Sequence, residues 1–171
     1  KISEMCADLS IFVPGRKLDD DGNVLLRFEN GAKGVLHASQ ICNGEENNLN
    51  IRVYGEKGGI SWRQMEPNTL TVIYQDKPST IFRTGWAGLE REAIAHTRIP
   101  AGHPEGYLEA FANIYRNFAR TIYALRKGEE PKAEWLDFPG AEDGIRGMAF
   151  VDHVLASSRS DQKWTPFIIE K

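Results

Sequence analysis

Gly102-His103-Pro104-Glu105-Gly106-Tyr107 leads into a segment that runs on to Arg126-Lys127-Gly128. Tyr107, Phe111, Ile114, Tyr115, Phe118, Ile122 and Leu125 recur at spacings of three and four, with Leu108 beside them. That is the 3.6-residue period of a helix with one apolar face. Glu109, Asn113, Arg116, Asn117 and Arg120 fall largely elsewhere and are expected to meet water. Pro104 suits a first turn, where the amide it lacks has no helical partner. Arg126 and Lys127 suit the negative end of the helix dipole, and Gly128 supplies a stop. This reading puts His103 and Glu105 at the N-terminal end, where outward N–H groups favour anions and hydroxyl-bearing ligands.

Upstream, the pattern changes to a period of two. Met5, Ala7, Leu9, Ile11 and Val13 alternate with Cys6, Asp8, Ser10 and Phe12, which predicts a half-buried strand ended by Pro14-Gly15. Further strands are expected at 24–29, 33–42, 49–54, 60–63, 69–75 and 79–83, joined by hairpin-length turns such as Asn30-Gly31. In the third strand Val35, His37, Ser39 and Ile41 share one face. Residues 84–101 have weak periodicity and read as a long irregular crossing. After the main helix, an extended connection around Pro131 to Pro139 leads to a second helix from about Ala141 to Ser157, and Trp164 to Ile169 can add an edge strand. Strands followed by helices predict an α+β fold: a largely antiparallel open sheet with helices packed on one face. Several strands carry apolar residues in both registers, as Tyr54 does opposite Ile51 and Val53. The other sheet face is therefore expected to be covered by a second copy, as a homodimer.

At 171 residues the chain suits a single domain, 1–171, with a core that needs no staples. A net charge of −3 with mixed signs argues against nucleic acid and against a polybasic membrane surface. There is no signal peptide and no bilayer-length apolar run. Cys6 and Cys42 both sit in apolar runs and read as buried free thiols of a reducing, cytoplasmic compartment; a disulfide stays open if their strands are neighbours. Without a CxxC pair a structural zinc site is not expected. Asp19-Asp20-Asp21 suggests a cation site, but a calcium loop needs acids at alternate positions and a distant glutamate, so the run reads as a solvated turn.

Among the four histidines, His153 reads as a mid-helix surface residue, His37 as a core or interface residue, and His96 as uninformative. His103 differs, because glycine and proline hold it at a helix mouth with Glu105 and Tyr107 close by. Its proton can move near neutral pH, and Glu and Tyr can bind sugar-type hydroxyls. A plain turn into a helix is the competing reading. Nucleophile-elbow, phosphate-loop, HExxH and GxGxxG patterns are all missing from the sequence.

Cys6-Ala7-Asp8, Phe12-Val13-Pro14-Gly15-Arg16, Asp19-Asp20-Asp21, Ala38-Ser39-Gln40, Gly44-Glu45-Glu46-Asn47 and Arg52-Val53-Tyr54-Gly55-Glu56-Lys57-Gly58 occur in that order. Gly102-His103-Pro104-Glu105-Gly106-Tyr107, Glu142-Asp143-Gly144 and Ala156-Ser157-Ser158-Arg159-Ser160 follow. Over essentially the whole chain this wording resembles the C-terminal domain of the Gfo/Idh/MocA oxidoreductases, the glucose-fructose oxidoreductase and inositol dehydrogenase type. The resemblance implies a C-terminal domain of the dihydrodipicolinate-reductase-like kind that closes a substrate pocket and dimerises through an open sheet. It also implies a separate N-terminal Rossmann domain, not within this chain, that binds NAD or NADP. The implied reaction is hydride transfer at a hydroxyl or carbonyl carbon of a sugar, sugar derivative or cyclitol. The family's catalytic lysine in Glu-Lys-Pro, and its aspartate and histidine four residues apart, match nothing here, so no catalytic, cofactor-binding or metal residue is assigned. What carries over is a substrate-binding role for His103, Glu105 and Tyr107, with Gln40 and Asn47. By itself the chain is expected to be catalytically silent. A non-enzymatic carbohydrate-binding or dimerisation module is the alternative. A free-standing hydrolase using His103 and Glu105 lacks a clear nucleophile.

Overall fold

The computed structural model describes residues 1–169. The chain forms two compact units, Lys1–Gly44 with the chain from Pro139 onward, and Glu45–Phe138.

In the first unit, β1 (Ile2–Ser10), β2 (Asp21–Phe28), β3 (Lys33–Ser39) and the short β8 (Thr165–Pro166) form an antiparallel sheet ordered β3-β2-β1-β8. Alternation along β1 works as its period requires. Met5 pairs with Leu26 and Ala7 with Val24, and this face packs under α3 (Ala141–Ser158). Met5 is 0% exposed and forms the core with Val24 and Val154, flanked by Leu9, Phe150 and Phe167. β8 pairs only with Glu4 and Met5, so farther along β1 two amides on that edge have no strand partner. The end of α3 supplies partners for both. Ser157 Oγ accepts the Ala7 N–H at 3.1 Å and Ser158 Oγ accepts the Leu9 N–H at 3.0 Å. Paired serines at a helix end thus replace a missing strand, which satisfies backbone groups that are expensive to leave unpaired.

β1 stops at Ser10 and not at Val13. The cause is Asp20, which the sequence places in a solvated turn and the structure buries at 4% exposure. Its carboxylate accepts the Phe12 and Val13 amides at 2.8 and 2.9 Å, and Arg16 Nη1 donates to it at 3.2 Å. Those amides therefore face the turn and make no strand ladder. The Phe12 amide does most to hold the Asp20 pKa below the usual carboxylate value, against the opposing effect of burial, with the Val13 amide and Arg16 adding to it. Asp21 opens β2 and is part of the sheet. Cys6 is a half-buried free thiol; Cys42, expected to be buried, is free and exposed.

In the second unit, β4 (Asn50–Gly55), β5 (Gly58–Arg63), β6 (Thr69–Tyr74) and β7 (Thr80–Arg83) form a meander in sequence order. The expected antiparallel α+β character holds, but the strands fall into two sheets of four and not into one continuous sheet. Hairpin-length turns join β2 to β3 and the four strands of the second sheet, whereas the longer segment 11–20 joins β1 to β2; between β3 and β4 the chain follows another longer connection with local bonds, such as Asn48 Nδ2 to Glu45 Oε2 at 2.6 Å. The crossing after β7 contains a short helix, α1 (Arg91–Ala95), which its weak periodicity hides. Then come α2 (Tyr107–Arg126) and a 3-10 turn at Ala133–Trp135.

α2 exists as the periodicity predicts, but its faces are exchanged. The buried residues are Asn113, Asn117, Thr121 and Ala124, whereas Tyr107, Phe111, Tyr115, Phe118 and Leu125 are exposed. The buried face is a row of donors. Asn113 Nδ2 donates to His96 O at 2.8 Å, Asn117 Nδ2 to Asp137 O at 3.3 Å and Thr121 Oγ1 to Trp135 O at 3.0 Å. The irregular segments on either side of α2 carry carbonyls that no ladder satisfies, and this row satisfies them.

α2 also begins later than the proline suggests. Gly106 is its N-cap, and Pro104 lies outside the helix. Glu109 Oε2 accepts the Gly106 N–H at 2.9 Å. That bond is the main reason the Glu109 carboxyl titrates below its ordinary value. A depressed folded pKa means the stabilisation is complete above the ordinary value of 4.5 and disappears as pH falls through it to the folded value. Glu109→Gln should therefore melt at a lower temperature than the parent protein at pH 7. The two melting curves should converge as the pH falls from 4.5 through the lowered folded value. A difference that persists unchanged into acid would remove the cap from the account.

Candidate functional site

The chain between α1 and α2, which carries His103 and Glu105 and leads into Tyr107, is tied down by side chains from outside it. Asn68 acts as a stand-in for a strand: its Nδ2 donates to Glu105 O at 2.7 Å and its Oδ1 accepts the Glu105 N–H at 3.1 Å. Thr84 Oγ1 donates to the same Oδ1 at 2.9 Å and fixes the amide's orientation. Within the loop, both Glu105 carboxylate oxygens accept the Arg98 N–H, at 2.8 and 3.0 Å. Arg98 Nε reaches Asn113 Oδ1 on α2 at 2.9 Å. Gly85, at φ +81°, passes so close that a Cβ there would lie 2.8 Å from the Ala101 nitrogen. Only glycine fits that approach.

On this frame His103 is exposed, with Nδ1 3.1 Å from Pro100 O. When Nδ1 donates that bond, Nε2 is an acceptor for a ligand hydroxyl. Tyr107 is the first residue of α2; its ring rests on Phe111 at 4.9 Å, and the side chain is exposed. Glu105 holds the loop with both oxygens, and each oxygen keeps a further lone pair. Gln40 is exposed in the first unit, its N–H donating to Asp20 O at 2.8 Å. Asn47 is exposed in the second unit, where its carbonyl accepts Gln64 Nε2 at 2.9 Å.

Asn68, Arg98 and Asn113 are the residues that sequence reasoning missed. Asn113, Asn117 and Thr121 sit at helical spacings of four, and such a row of side chains able to donate is a readable sign of a buried polar face. Two histidines also differ from their sequence reading. His96 bonds Glu92 O at 2.7 Å and Asp137 Oδ2 at 3.1 Å, so it joins α1 to the segment after α2. His153 is half-buried: Nδ1 donates to Ala149 O at 2.7 Å, Nε2 accepts the Ile168 N–H at 3.4 Å, and the ring meets Phe167 edge-on.

Both long helices are capped at their N-terminal ends by a carboxylate of their own first turn. The N-terminal amides at Gly106 and Gly140 donate to carboxylates of their own helices, Glu109 and Asp143, at 2.9 and 2.8 Å.

Residues 1–61 match the family model of the GFO/IDH/MocA C-terminal domain. An uncharacterized oxidoreductase of Bacillus subtilis strain 168, YfiI, is 34% identical over 168 residues, 98% of this chain and 43% of its own length. The solved structure of an oxidoreductase from Sinorhizobium meliloti is 45% identical with a TM-score of 0.89, over 96% of this chain and 46% of that one. An inositol dehydrogenase homolog from Azotobacter vinelandii, complexed with NADH and myo-inositol, is 29% identical with a TM-score of 0.90, over 98% of this chain and 44% of that one. The α+β fold and these likenesses define the class: residues 1–61 match the C-terminal domain of the Gfo/Idh/MocA family, and nearly the whole chain shares its fold with these oxidoreductases. It spans less than half the length of the relatives it matches. Among the described residues no helix is long and apolar enough to cross a membrane.

Proposed function

We propose that this chain is the substrate-binding and oligomerisation part of an NAD(P)-dependent oxidoreductase that transfers hydride to or from a sugar, sugar derivative or cyclitol. The observation that carries the reading is the pinned loop 98–107, whose frame leaves His103 and Tyr107 exposed beside a fixed Glu105. It is the arrangement expected of groups that orient a polyhydroxy substrate, with the binding atoms held by hydrogen bonds outside the contact surface. The myo-inositol and NADH complex of the Azotobacter homolog supports the substrate class and a nicotinamide cofactor. The cofactor and the hydride-transfer machinery belong, in this reading, to an N-terminal dinucleotide-binding domain outside the chain, and the two units here serve together as one C-terminal domain. In this reading the substrate-binding residues of the second unit are His103, Glu105, Tyr107 and Asn47, that of the first unit is Gln40, and none of the five moves the hydride.

A homo-oligomer through the open sheet face belongs to the same reading. β4 is an edge strand exposed in both registers, with Ile51 and Val53 on one face and Tyr54 on the other. Apolar surface of that kind is normally covered. The enzyme is placed in the cytoplasm, in keeping with two free thiols.

The test uses the full-length protein with a panel of sugars and cyclitols. His103→Ala should raise KM for the polyol substrate by about 10-fold, the loss of one hydrogen bond of about 1.4 kcal/mol, and leave KM for the nicotinamide cofactor unchanged. A polyol KM that stays the same in His103→Ala and in Glu105→Gln would sink the site assignment.

A further inference from the structure

We propose that Asp21, His37 and Cys42 form a binding site for one divalent transition-metal ion of the zinc class. The three residues bring a carboxylate oxygen, an imidazole nitrogen and a thiol sulfur within 4.8 Å of one another. They belong to one unit and arise from its topology. Asp21 and His37 lie on the same face of the β2–β3 ladder, where Asp21 pairs with Ser39 and Asn23 with His37, so the two are diagonal neighbours. Cys42 follows three residues after β3 ends, on the segment that leaves the sheet.

The spacing agrees with a tetrahedral ion. With metal–ligand bonds of about 2.0–2.3 Å, neighbouring ligand atoms stand about 3.3–3.6 Å apart. Asp21 Oδ1 and His37 Nε2 are already 3.1 Å apart. The cysteine is exposed and lies beyond the strand, so a small change of rotamer can bring its sulfur in. Chemistry selects the metal. One nitrogen, one sulfur and one oxygen donor suit zinc, or cobalt in its place, and do not suit magnesium or calcium, which take oxygen ligands. A thiolate and a carboxylate also cancel the ion's charge. Asn23 Nδ2 donates to the other Asp21 oxygen at 3.3 Å, the outer contact that commonly orients a ligating carboxylate. Three protein ligands leave a fourth position for water or an incoming donor. The ion would tie the sheet edge to the segment that begins at Gln40.

The experiment is a titration of the chelator-treated full-length protein with Co²⁺, followed by absorbance, with Zn²⁺ as competitor. One equivalent of Co²⁺ should produce a sulfur-to-cobalt charge-transfer band that Zn²⁺ abolishes. Cys42→Ser should remove the band, and Cys42→Ser and His37→Gln should each weaken Co²⁺ binding by about 10-fold or more. Cys6→Ser should leave both readouts unchanged. Circular dichroism confirms that each variant is folded, which is expected because Cys42 and His37 are exposed. Absence of the band in the parent protein, its survival in Cys42→Ser, or its loss in Cys6→Ser would each overturn the site.

Discussion

Met5→Ala should lower the stability of the protein by about 2–5 kcal/mol, measured as the free energy of unfolding in urea. Met5 is one of the largest fully buried side chains, at 0% exposure, and stands where β1 meets α3. Val24 and Val154 contact it directly, with Leu26, Phe150 and Phe167 around them. Truncation removes the side chain beyond Cβ from this cluster. β1 is also held on both edges, by β2 on one side and by Ser157, Ser158 and β8 on the other, so it cannot easily settle into the space left behind. A cavity that cannot collapse keeps the full penalty. Met5→Leu, which nearly conserves volume, should lose less than about 1.5 kcal/mol. If the alanine variant came within about 0.5 kcal/mol of the parent, Met5 would not be the centre of this core.

Gly58→Ala should destabilise the second unit by about 2–4 kcal/mol, through backbone strain and overpacking together. Gly58 has φ +145°, a conformation that L side chains rarely adopt, and a Cβ built there would lie 2.1 Å from the Ile73 carbonyl oxygen. Neither problem has a local remedy. Gly58 begins β5 opposite Gly55 of β4 and opposite Tyr74 of β6, so relieving the clash pulls β5 away from β6. Hydrogen exchange should show lost protection along β5 and β6, with the β1–β2 ladder unchanged. Protection unaltered in β5 and β6 would contradict the geometry. Gly31 lies in a tight turn where an added Cβ would meet nothing within 4 Å, so Gly31→Ala tests the strain of a positive φ without the clash.

The candidate loop was legible in outline. Gly102 to Tyr107 stand out as glycine and proline around polar groups, and the structure does place them at the start of α2. What holds that loop was not legible. Asn68 is 37 residues from Glu105 in sequence, and nothing local marks the pairing of its side-chain amide with the Glu105 backbone. The Glu105 carboxylate illustrates the same point: in sequence it is a free acid near a histidine, in the structure it accepts the Arg98 amide. Asp20 is hidden for a related reason. A run of three aspartates ordinarily points to solvent, and only the path of the chain after β1 turns the Phe12 and Val13 amides onto the middle one.

The positions of most strands and of the two long helices, and the α+β class, came from the amino-acid sequence by itself. Each depends on short-range regularity: a period of two from Met5 to Ser10, a period near 3.6 from Tyr107 to Leu125, glycine at the turns. The tertiary structure alone decided how the strands divide into two sheets, which face of α2 is buried, and which polar groups are committed to backbone partners. The physical reason is that periodicity reports a helix's two faces without saying what lies against either. α2 turns Asn113, Asn117 and Thr121 inward because the irregular segments beside it bring carbonyls that need donors, and a buried carbonyl without one is more costly than an apolar side chain left at the surface.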